Sequence, residues 1–206
     1  MIIHILALFA TLQAPATPGA DSIVTSKLGM VVSASDLASD AGASILRKGG
    51  NAVDAAVATA LAMAVTYPGA GNIGGGGFMV IAPRTGSPIA IDYRERAPLA
   101  STPGMYLKPD GTTDYSLTAS GWLAPGVPGT LRGLEAAHRR FGRLKWSTLV
   151  EPAISLARGF RVSVNFARDL NGMLAGPSFA IASSDRARSV SRIVSPSTHF
   201  PPPGLP

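Results

Sequence analysis

The sequence of 206 residues contains no cysteine. This absence excludes a disulfide scaffold, a thiol nucleophile, a zinc finger and an iron–sulfur centre. The histidines are only three, His4, His138 and His199, and their spacing is not that of metal ligands. A G-x-S-x-G elbow, which would mark a serine nucleophile on a strand-to-helix turn, is also absent. No metal site and no cofactor are therefore predicted.

Long apolar runs are also lacking: no run of 18 apolar residues occurs beyond the first few residues, so the sequence predicts no stable membrane span. Residues 1–20 carry no formal side-chain charge and combine a short apolar core with small residues at Ala14–Ala16 and Pro18–Ala20. This pattern predicts a secretory signal peptide and a periplasmic or secreted protein. No lysine or arginine precedes the apolar core, so a buried first strand in a cytoplasmic protein is the alternative.

Acidic residues are outnumbered, with 12 acidic against 18 basic residues and a net charge of +6. A nucleic-acid-binding surface would cluster the basic residues with aromatic residues among them. The basic residues instead accumulate late, from Arg132 to Arg192, where a solvated helix face explains them, so no nucleic-acid partner is predicted. Residues 183–206 are rich in serine and proline and lack apolar periodicity, which predicts a disordered or out-of-frame tail.

The organised part of the chain is predicted to span residues 21–182. Short apolar runs, capping residues and glycine or proline stops predict the elements in order. The first half holds a strand at Gly29–Ser33, a helix from the N-cap Ser35 to about Lys48, a helix from the N-cap Asn51 to Tyr67, and a hairpin of Phe78–Ala82 and Ile89–Tyr93. A loop-rich segment over Ser101–Gly126 follows, and then helices at about Gly129–Phe141 and Ser147–Ala157, the last capped by Ser147. This order predicts a layered α+β or α/β domain and disfavours a doubly wound sheet.

A glycine-rich stretch follows the second predicted helix. Gly69–Gly74 fits G-x-G-x-x-G, and Asp92 follows near the ribose-binding spacing. A dinucleotide site, however, requires a strand before the glycines and a helix after them, and here that order is reversed. Such a site would require NAD binding that depends on Gly71 and Asp92. The four glycines Gly74–Gly77 form either a tight helix-to-strand corner or a backbone edge that lines a site.

Arg94 is the candidate binding residue. It lies in the charged cluster Asp92–Arg96 at the end of a predicted strand, on the face opposite Ile91 and Tyr93. A guanidinium there can hold a substrate carboxylate through two parallel hydrogen bonds. On spacing alone, a structural ion pair with Asp92 or Glu95 is the commoner explanation. His138 is interpreted as a surface residue, and the residues alone reveal no nucleophile with its base.

Several segments together resemble the gamma-glutamyltransferase (gamma-glutamyltranspeptidase) family. They are Gly29–Ser33, Leu46–Leu61, Ile73–Met79, Asp92–Glu95 followed by Ala97-Pro98, Gly126–Gly129 and Arg140–Arg143. Their order and spacing match over roughly Leu28–Arg168. The resemblance identifies this stretch as the N-terminal part of the family's large subunit.

The resemblance implies a partial N-terminal-nucleophile hydrolase fold, an αββα sandwich that lacks the half formed by the small subunit. It implies hydrolysis of glutathione and related gamma-glutamyl amides, or transfer of the glutamyl group to an amino acid. In the family, the N-terminal threonine of the small subunit is the nucleophile, and its α-amino group serves as the base. The arginine of the family's D-[FY]-R-E motif, here Arg94, is the one substrate-binding residue carried over, and it holds the α-carboxylate of the donor.

The resemblance has departures. Leu156–Phe160 is one residue shorter than the family's usual form, and the similarity fades beyond about Leu170. Ser197–Phe200 resembles the family's cleavage site, but three prolines follow where a central strand would be needed. No catalytic threonine is therefore assigned, and we expect a truncated, inactive fragment whose missing partner is the small subunit. The alternatives are a non-catalytic remnant or pseudogene product, and a cephalosporin-acylase-like member of the same family.

Overall fold

The computed structural model describes residues 25–27, 29–119 and 121–175. The chain divides into two units, Met1–Met30 and Val31–Pro206. The described residues of the first unit form no helix or strand. The predicted signal peptide 1–20 and the predicted tail 183–206 lie outside the described residues, and both stay predictions.

The second unit contains six helices and one hairpin among its described residues. The elements are α1 (Asp36–Arg47), α2 (Ala52–Thr66), β1 (Phe78–Ile81), β2 (Ile89–Asp92), α3 (Tyr115–Ala119), α4 (Thr130–Phe141), α5 (Trp146–Ala157) and α6 (Val164–Ala175). The predicted α+β class is confirmed. The described part holds one two-stranded sheet, and the two stacked sheets of the complete family fold are not present within it.

The first two helices begin and end where the capping residues predicted. Ser35 caps α1 by accepting the N–H of Ala38, and Gly49 ends the helix with a φ of 87°, a conformation that favours glycine. Asn51 caps α2, and the Asp54 carboxylate accepts the Asn51 N–H at 3.0 Å, which completes a capping box.

Helix α2 is the centre of the unit because it is apolar on nearly all sides. It packs against α1, α4 and α5. Large fully buried side chains around it are Ile45, Val57, Leu134 and Leu149. The hairpin packs onto this core through Met79, Ile81 and Ile91.

The hairpin pairs Phe78 with Asp92 and Ile81 with Ile89 in an antiparallel register. Side chains alternate between the two faces of such a pair, so Phe78 and Val80 point away from the core and are exposed. The alternation carries the chain past β2 with Tyr93 partly buried and Arg94 exposed. This arrangement places Arg94 at the end of β2, on the outward face, as predicted.

Asp54 has a second function besides capping. Its side chain is completely buried, and its carboxylate also accepts the backbone N–H groups of Arg143 at 3.0 Å and Leu144 at 3.4 Å. The carboxylate therefore joins the start of α2 to the α4–α5 connection, 89 residues later in the chain.

Replacing Asp54 with alanine is expected to lower the free energy of unfolding by roughly 3 kcal/mol, because it leaves buried N–H groups without an acceptor. Urea unfolding followed by circular dichroism measures the change. The control is Asp36→Ala, which removes an exposed carboxylate from the first turn of α1 and is expected to cost less than about 1 kcal/mol. Equal losses for the two variants would contradict the bridging function of Asp54.

Two local predictions were wrong. Gly29–Ser33 is not a strand, because the described residues provide no neighbouring strand for it to pair with. Helix α5 begins one residue before Ser147, so Lys145 is the N-cap and no side chain bonds there. The segment Ser101–Gly126 is loop-rich as predicted and contains the short helix α3. Asp114 stabilises its start: the Ser116 hydroxyl and N–H donate to the Asp114 carboxylate and lower the pKa of Asp114.

Helix α6 was not anticipated from the sequence. It packs Phe166 and Ala167 against Phe160 and Val162 in a small separate cluster. The short segment that precedes it contains Ser163, whose hydroxyl accepts the Phe166 N–H at 3.1 Å, as an N-cap does. Its hydrophobic cluster is local, so it adds little to the core around α2.

Candidate substrate-carboxylate site

Arg94 leaves β2 with its side chain in solvent, where 65% of the side chain is exposed. Asp92 accepts the backbone N–H of Arg94 at 3.0 Å, which turns the chain at the end of the strand. Of the two ion pairs predicted as the alternative, the one between Asp92 and the Arg94 guanidinium does not form, whereas the one with Glu95 does, at 3.9 Å. Asp92 therefore fixes the backbone of Arg94 and leaves its side chain accessible.

The guanidinium has two neighbours among the described residues. Glu95 Oε2 lies 3.9 Å from Arg94 Nε, a long and exposed ion pair of the kind that contributes little to stability. The guanidinium carbon lies 5.9 Å from the centre of the Phe78 ring, which is close enough for a cation–π contact. No described residue accepts a hydrogen bond from the two Nη groups.

Gly76 lies directly against the backbone of Tyr93–Glu95, and Gly77 lies against the Tyr93 ring. A Cβ on Gly76 would lie 2.7 Å from Arg94 Cα, and a Cβ on Gly77 would lie 2.9 Å from the Tyr93 ring. None of the four glycines Gly74–Gly77 has a positive φ, so close approach is what requires glycine at Gly76 and Gly77. The Tyr93 N–H donates to the Gly77 carbonyl at 3.0 Å. The glycine run is therefore both a helix-to-strand corner and the backbone wall beside Arg94.

The start of α4 encloses the same residues from the other side. A Cβ on Gly129 would clash with the Tyr93 carbonyl, and a Cβ on Gly133 would clash with the Tyr93 ring. Burial of this ring raises the pKa of Tyr93, whose hydroxyl donates to the Phe78 carbonyl at 3.3 Å. Tyr93 is thus the packed anchor that places the next residue, Arg94.

A further backbone link lies just beyond the arginine. Arg96 and Val127 form an isolated antiparallel bridge, with N–H to carbonyl distances of 3.3 and 2.8 Å. A Cβ on Gly126 would lie 2.9 Å from Glu95 Cβ. Backbone contacts on both sides therefore hold the segment that carries Arg94, while its guanidinium remains open to solutes. Such a group can hold a carboxylate in a bidentate manner.

The glycines that fit the dinucleotide pattern serve a different purpose. Helix α2 precedes them and β1 follows them, so the reversed order expected from the sequence is confirmed. The Gly71 N–H donates to the Tyr67 carbonyl at 2.7 Å, and a Cβ on Gly71 would clash with the Met63 carbonyl. Gly71 therefore closes the end of α2, and a strand, not a helix, follows the glycines in the chain.

His138 is not a simple surface residue. Its ring is half-buried, its Nε2 lies 2.7 Å from the Leu144 carbonyl, and it contacts Trp146 with ring centres 5.4 Å apart. Because a carbonyl only accepts, this nitrogen carries the proton, and His138 supports the α4–α5 connection. In the part of the chain that the structure describes, no group of three or more His, Asp or Glu side chains is arranged to hold a metal ion.

Two residues at this site, Asn72 and Thr130, were not predicted from the sequence. Asn72 Oδ1 accepts hydrogen bonds from the Gly75 N–H at 2.9 Å and from the Thr130 hydroxyl at 2.7 Å. The sequence offers one signal for this pair: Asn72 is a hydrogen-bonding side chain beside the glycine run. That signal does not reveal that its partner is Thr130, 58 residues away.

The family model of gamma-glutamyltranspeptidase matches residues 38–202 of this chain. This match includes most of the segment 183–206, for which the sequence analysis predicted a tail outside the resemblance. Glutathione hydrolase proenzymes are similar relatives. The enzyme of Pseudomonas sp. (strain A14) is 51% identical over 133 residues, which cover 64% of this chain and 23% of that protein.

The relative from Escherichia coli (strain K12) is 47% identical over 148 residues, which cover 71% of this chain and 26% of that protein. Among solved structures, gamma-glutamyltranspeptidase from Pseudomonas nitroreducens complexed with L-DON has a TM-score of 0.74 and 44% identity over 87% of this chain and 52% of that chain. Cephalosporin acylase from Bacillus halodurans has a TM-score of 0.62 and 26% identity over 89% of this chain and 32% of that chain.

Fold and sequence therefore define a partial α+β assembly of the N-terminal-nucleophile hydrolase class. The chain belongs to the gamma-glutamyltranspeptidase family. It spans about a quarter of the length of the curated relatives that it matches. Ser197 and Thr198, the residues that resemble the family's cleavage site, lie outside the described residues. Within the described ranges, no helix has the length and apolar character needed to cross a membrane.

Proposed function

We propose that this chain supplies the carboxylate-binding arginine of an enzyme that hydrolyses or transfers gamma-glutamyl groups. Arg94 binds the α-carboxylate of the gamma-glutamyl donor through its two Nη groups. The observation that carries this proposal is the position of Arg94: its backbone is held between the glycine run and the start of α4, and its guanidinium is exposed. A fixed backbone below an exposed guanidinium, whose one ion pair among the described residues is long, favours binding of a solute.

The chemical step in this proposal belongs to a small subunit outside these 206 residues. The hydroxyl oxygen of its N-terminal threonine bonds to the γ-carbonyl carbon of the donor, and its α-amino group accepts the hydroxyl proton. The C–N bond of the amide then breaks, and the amine leaves with a proton. Water or an amino acid afterwards takes the glutamyl group from the threonine. The name proenzyme, which several relatives carry, supports a precursor that is cleaved into two subunits.

The peptidase reaction is preferred over the acylase reaction. The relatives with 47% and 51% identity are named glutathione hydrolases, whereas the cephalosporin acylase is only 26% identical. A gamma-glutamyl donor also provides the free α-carboxylate that an exposed arginine binds best. Glutathione and related gamma-glutamyl amides are accordingly the proposed substrates. We further propose that the protein is exported to the periplasm or secreted, on the basis of the predicted signal peptide over 1–20.

A pair of small ligands tests whether the chain recognises an α-carboxylate. L-Glutamine has this carboxylate, and 4-aminobutanamide is the same molecule without it. The chain is expected to bind L-glutamine about 100-fold more tightly, because only L-glutamine forms the charged bidentate contact. Isothermal titration calorimetry measures both dissociation constants. Equal affinities, or no binding of either ligand, would count against the proposed function.

A further inference from the structure

The backbone of Gly75 joins the glycine-rich segment to the start of α4. Its N–H donates to Asn72 Oδ1 at 2.9 Å. Its carbonyl accepts the N–H groups of Gly129 at 2.8 Å and Thr130 at 3.1 Å. The Thr130 hydroxyl donates to the same Asn72 oxygen at 2.7 Å. Both the N–H and the carbonyl of Gly75 are thus hydrogen-bonded, and Asn72 is hydrogen-bonded to Thr130, the first residue of α4.

The position of the Gly75 backbone determines where the backbone of Arg94 can lie. Gly76 follows it directly, and a Cβ on Gly76 would come within 2.7 Å of Arg94 Cα and of Glu95 N. Gly129, which is bonded to the Gly75 carbonyl, is in close contact with the Tyr93 carbonyl. These contacts are backbone against backbone. A shift of Gly75 relative to α4 must therefore move Arg94 as well.

Thr130 is the buried partner in the Asn72–Thr130 hydrogen bond. Only 6% of the residue is exposed, whereas Asn72 lies at the surface. A buried hydroxyl without an acceptor is unfavourable, so the Asn72–Thr130 bond has one strongly preferred geometry. The link therefore makes rigid the backbone from which the exposed side chain of Arg94 projects.

We propose that Asn72 and Thr130 are positioning residues: through the backbone of Gly75, they hold Arg94 in the position where it binds a carboxylate. This inference rests on the proposed function, since the position of Arg94 affects binding only if Arg94 holds the carboxylate. The link preorganises the binding group before the ligand arrives, which improves affinity without any contact to the ligand.

Thr130→Val tests the link because valine keeps the shape of threonine and removes the hydroxyl. The variant is expected to bind L-glutamine about 5- to 10-fold more weakly, the effect of losing one hydrogen bond in this network. Thr130→Ser keeps the hydroxyl and should bind within about 2-fold of the unchanged chain. Asn72→Ala removes the acceptor at an exposed position and should weaken binding as Thr130→Val does. The matched control is Thr85→Val, in the hairpin turn at the other end of the strands.

A second readout does not depend on ligand binding. The ¹H–¹⁵N signals of the Arg94 amide and Nε–H, recorded without ligand, should shift in Thr130→Val and Asn72→Ala and stay in place in Thr130→Ser and Thr85→Val. Amide exchange of Gly129 should become faster, while that of Val57 in the core stays unchanged. Unshifted Arg94 signals, or faster exchange throughout the core, would overturn the positioning function. Shifted signals in a chain that does not bind L-glutamine would support the positioning function and contradict the proposed function instead.

Discussion

Arg94→Ala is expected to weaken the binding of L-glutamine about 100-fold. The guanidinium offers two parallel N–H donors to one carboxylate, and each hydrogen bond to a charged group contributes about 1.5–3 kcal/mol. The side chain is 65% exposed, and among the described residues it forms a 3.9 Å ion pair with Glu95 and a cation–π contact with Phe78. The substitution should therefore leave the fold unchanged. Isothermal titration calorimetry gives the affinity, and thermal unfolding followed by circular dichroism shows whether stability is kept.

Two further arginine variants distinguish the site from a general charge effect. Arg84→Ala removes an exposed positive charge from the hairpin turn, at the opposite end of the strands, and should leave the affinity unchanged. Arg94→Lys keeps the charge and loses the planar pair of donors, so about a 10-fold loss is expected. If Arg84→Ala and Arg94→Ala weaken binding equally, the ligand responds to the net charge of +6 and not to a site.

The 206-residue chain on its own is expected to release no aniline from a gamma-glutamyl anilide and to undergo no self-cleavage. In the proposed reaction, the nucleophile and its base are one residue of a small subunit, and the chain contributes only carboxylate binding. Binding without a nucleophile gives no covalent step. Spectrophotometric release of the aniline and an SDS gel of the incubated protein measure these two outcomes.

The glutathione hydrolase from Escherichia coli provides the positive control, since its sequence is 47% identical to this chain where the two align. Two variants make the expectation refutable. Ser197 and Thr198 are the residues that resemble the family's cleavage site. Turnover by the unchanged chain that disappears in Thr198→Ala or Ser197→Ala would show that a nucleophile is present after all.

The sequence was sufficient for the elements that depend on local signals. Ser35, Asn51 and the glycines after Lys48 predicted the bounds of α1 and α2 because caps act within one helical turn. The alternation of apolar residues in the hairpin predicted which side of β2 carries Arg94. Local signals were less reliable where another residue could serve equally well: Ser147 is a good N-cap, yet α5 begins one residue earlier.

Long-range contacts were beyond sequence reasoning. The buried carboxylate of Asp54 was anticipated as part of a capping box, but its bonds to the N–H groups of Arg143 and Leu144 depend on how α4 and α5 pack against α2. The Asn72–Thr130 bond is of the same kind. The importance of Arg94 also did not follow from spacing, which favoured an ion pair. It followed from the family resemblance, and the exposed guanidinium is consistent with it.

The central claim is that Arg94 and the α-carboxylate of a gamma-glutamyl compound contact each other. A thermodynamic cycle tests it directly, with L-glutamine and 4-aminobutanamide each titrated into the unchanged chain and into Arg94→Ala. If the two groups are in contact, the preference for L-glutamine falls from about 100-fold to about 1-fold when the guanidinium is removed. A preference that is the same in both proteins would contradict the claim, because the carboxylate would then be recognised elsewhere.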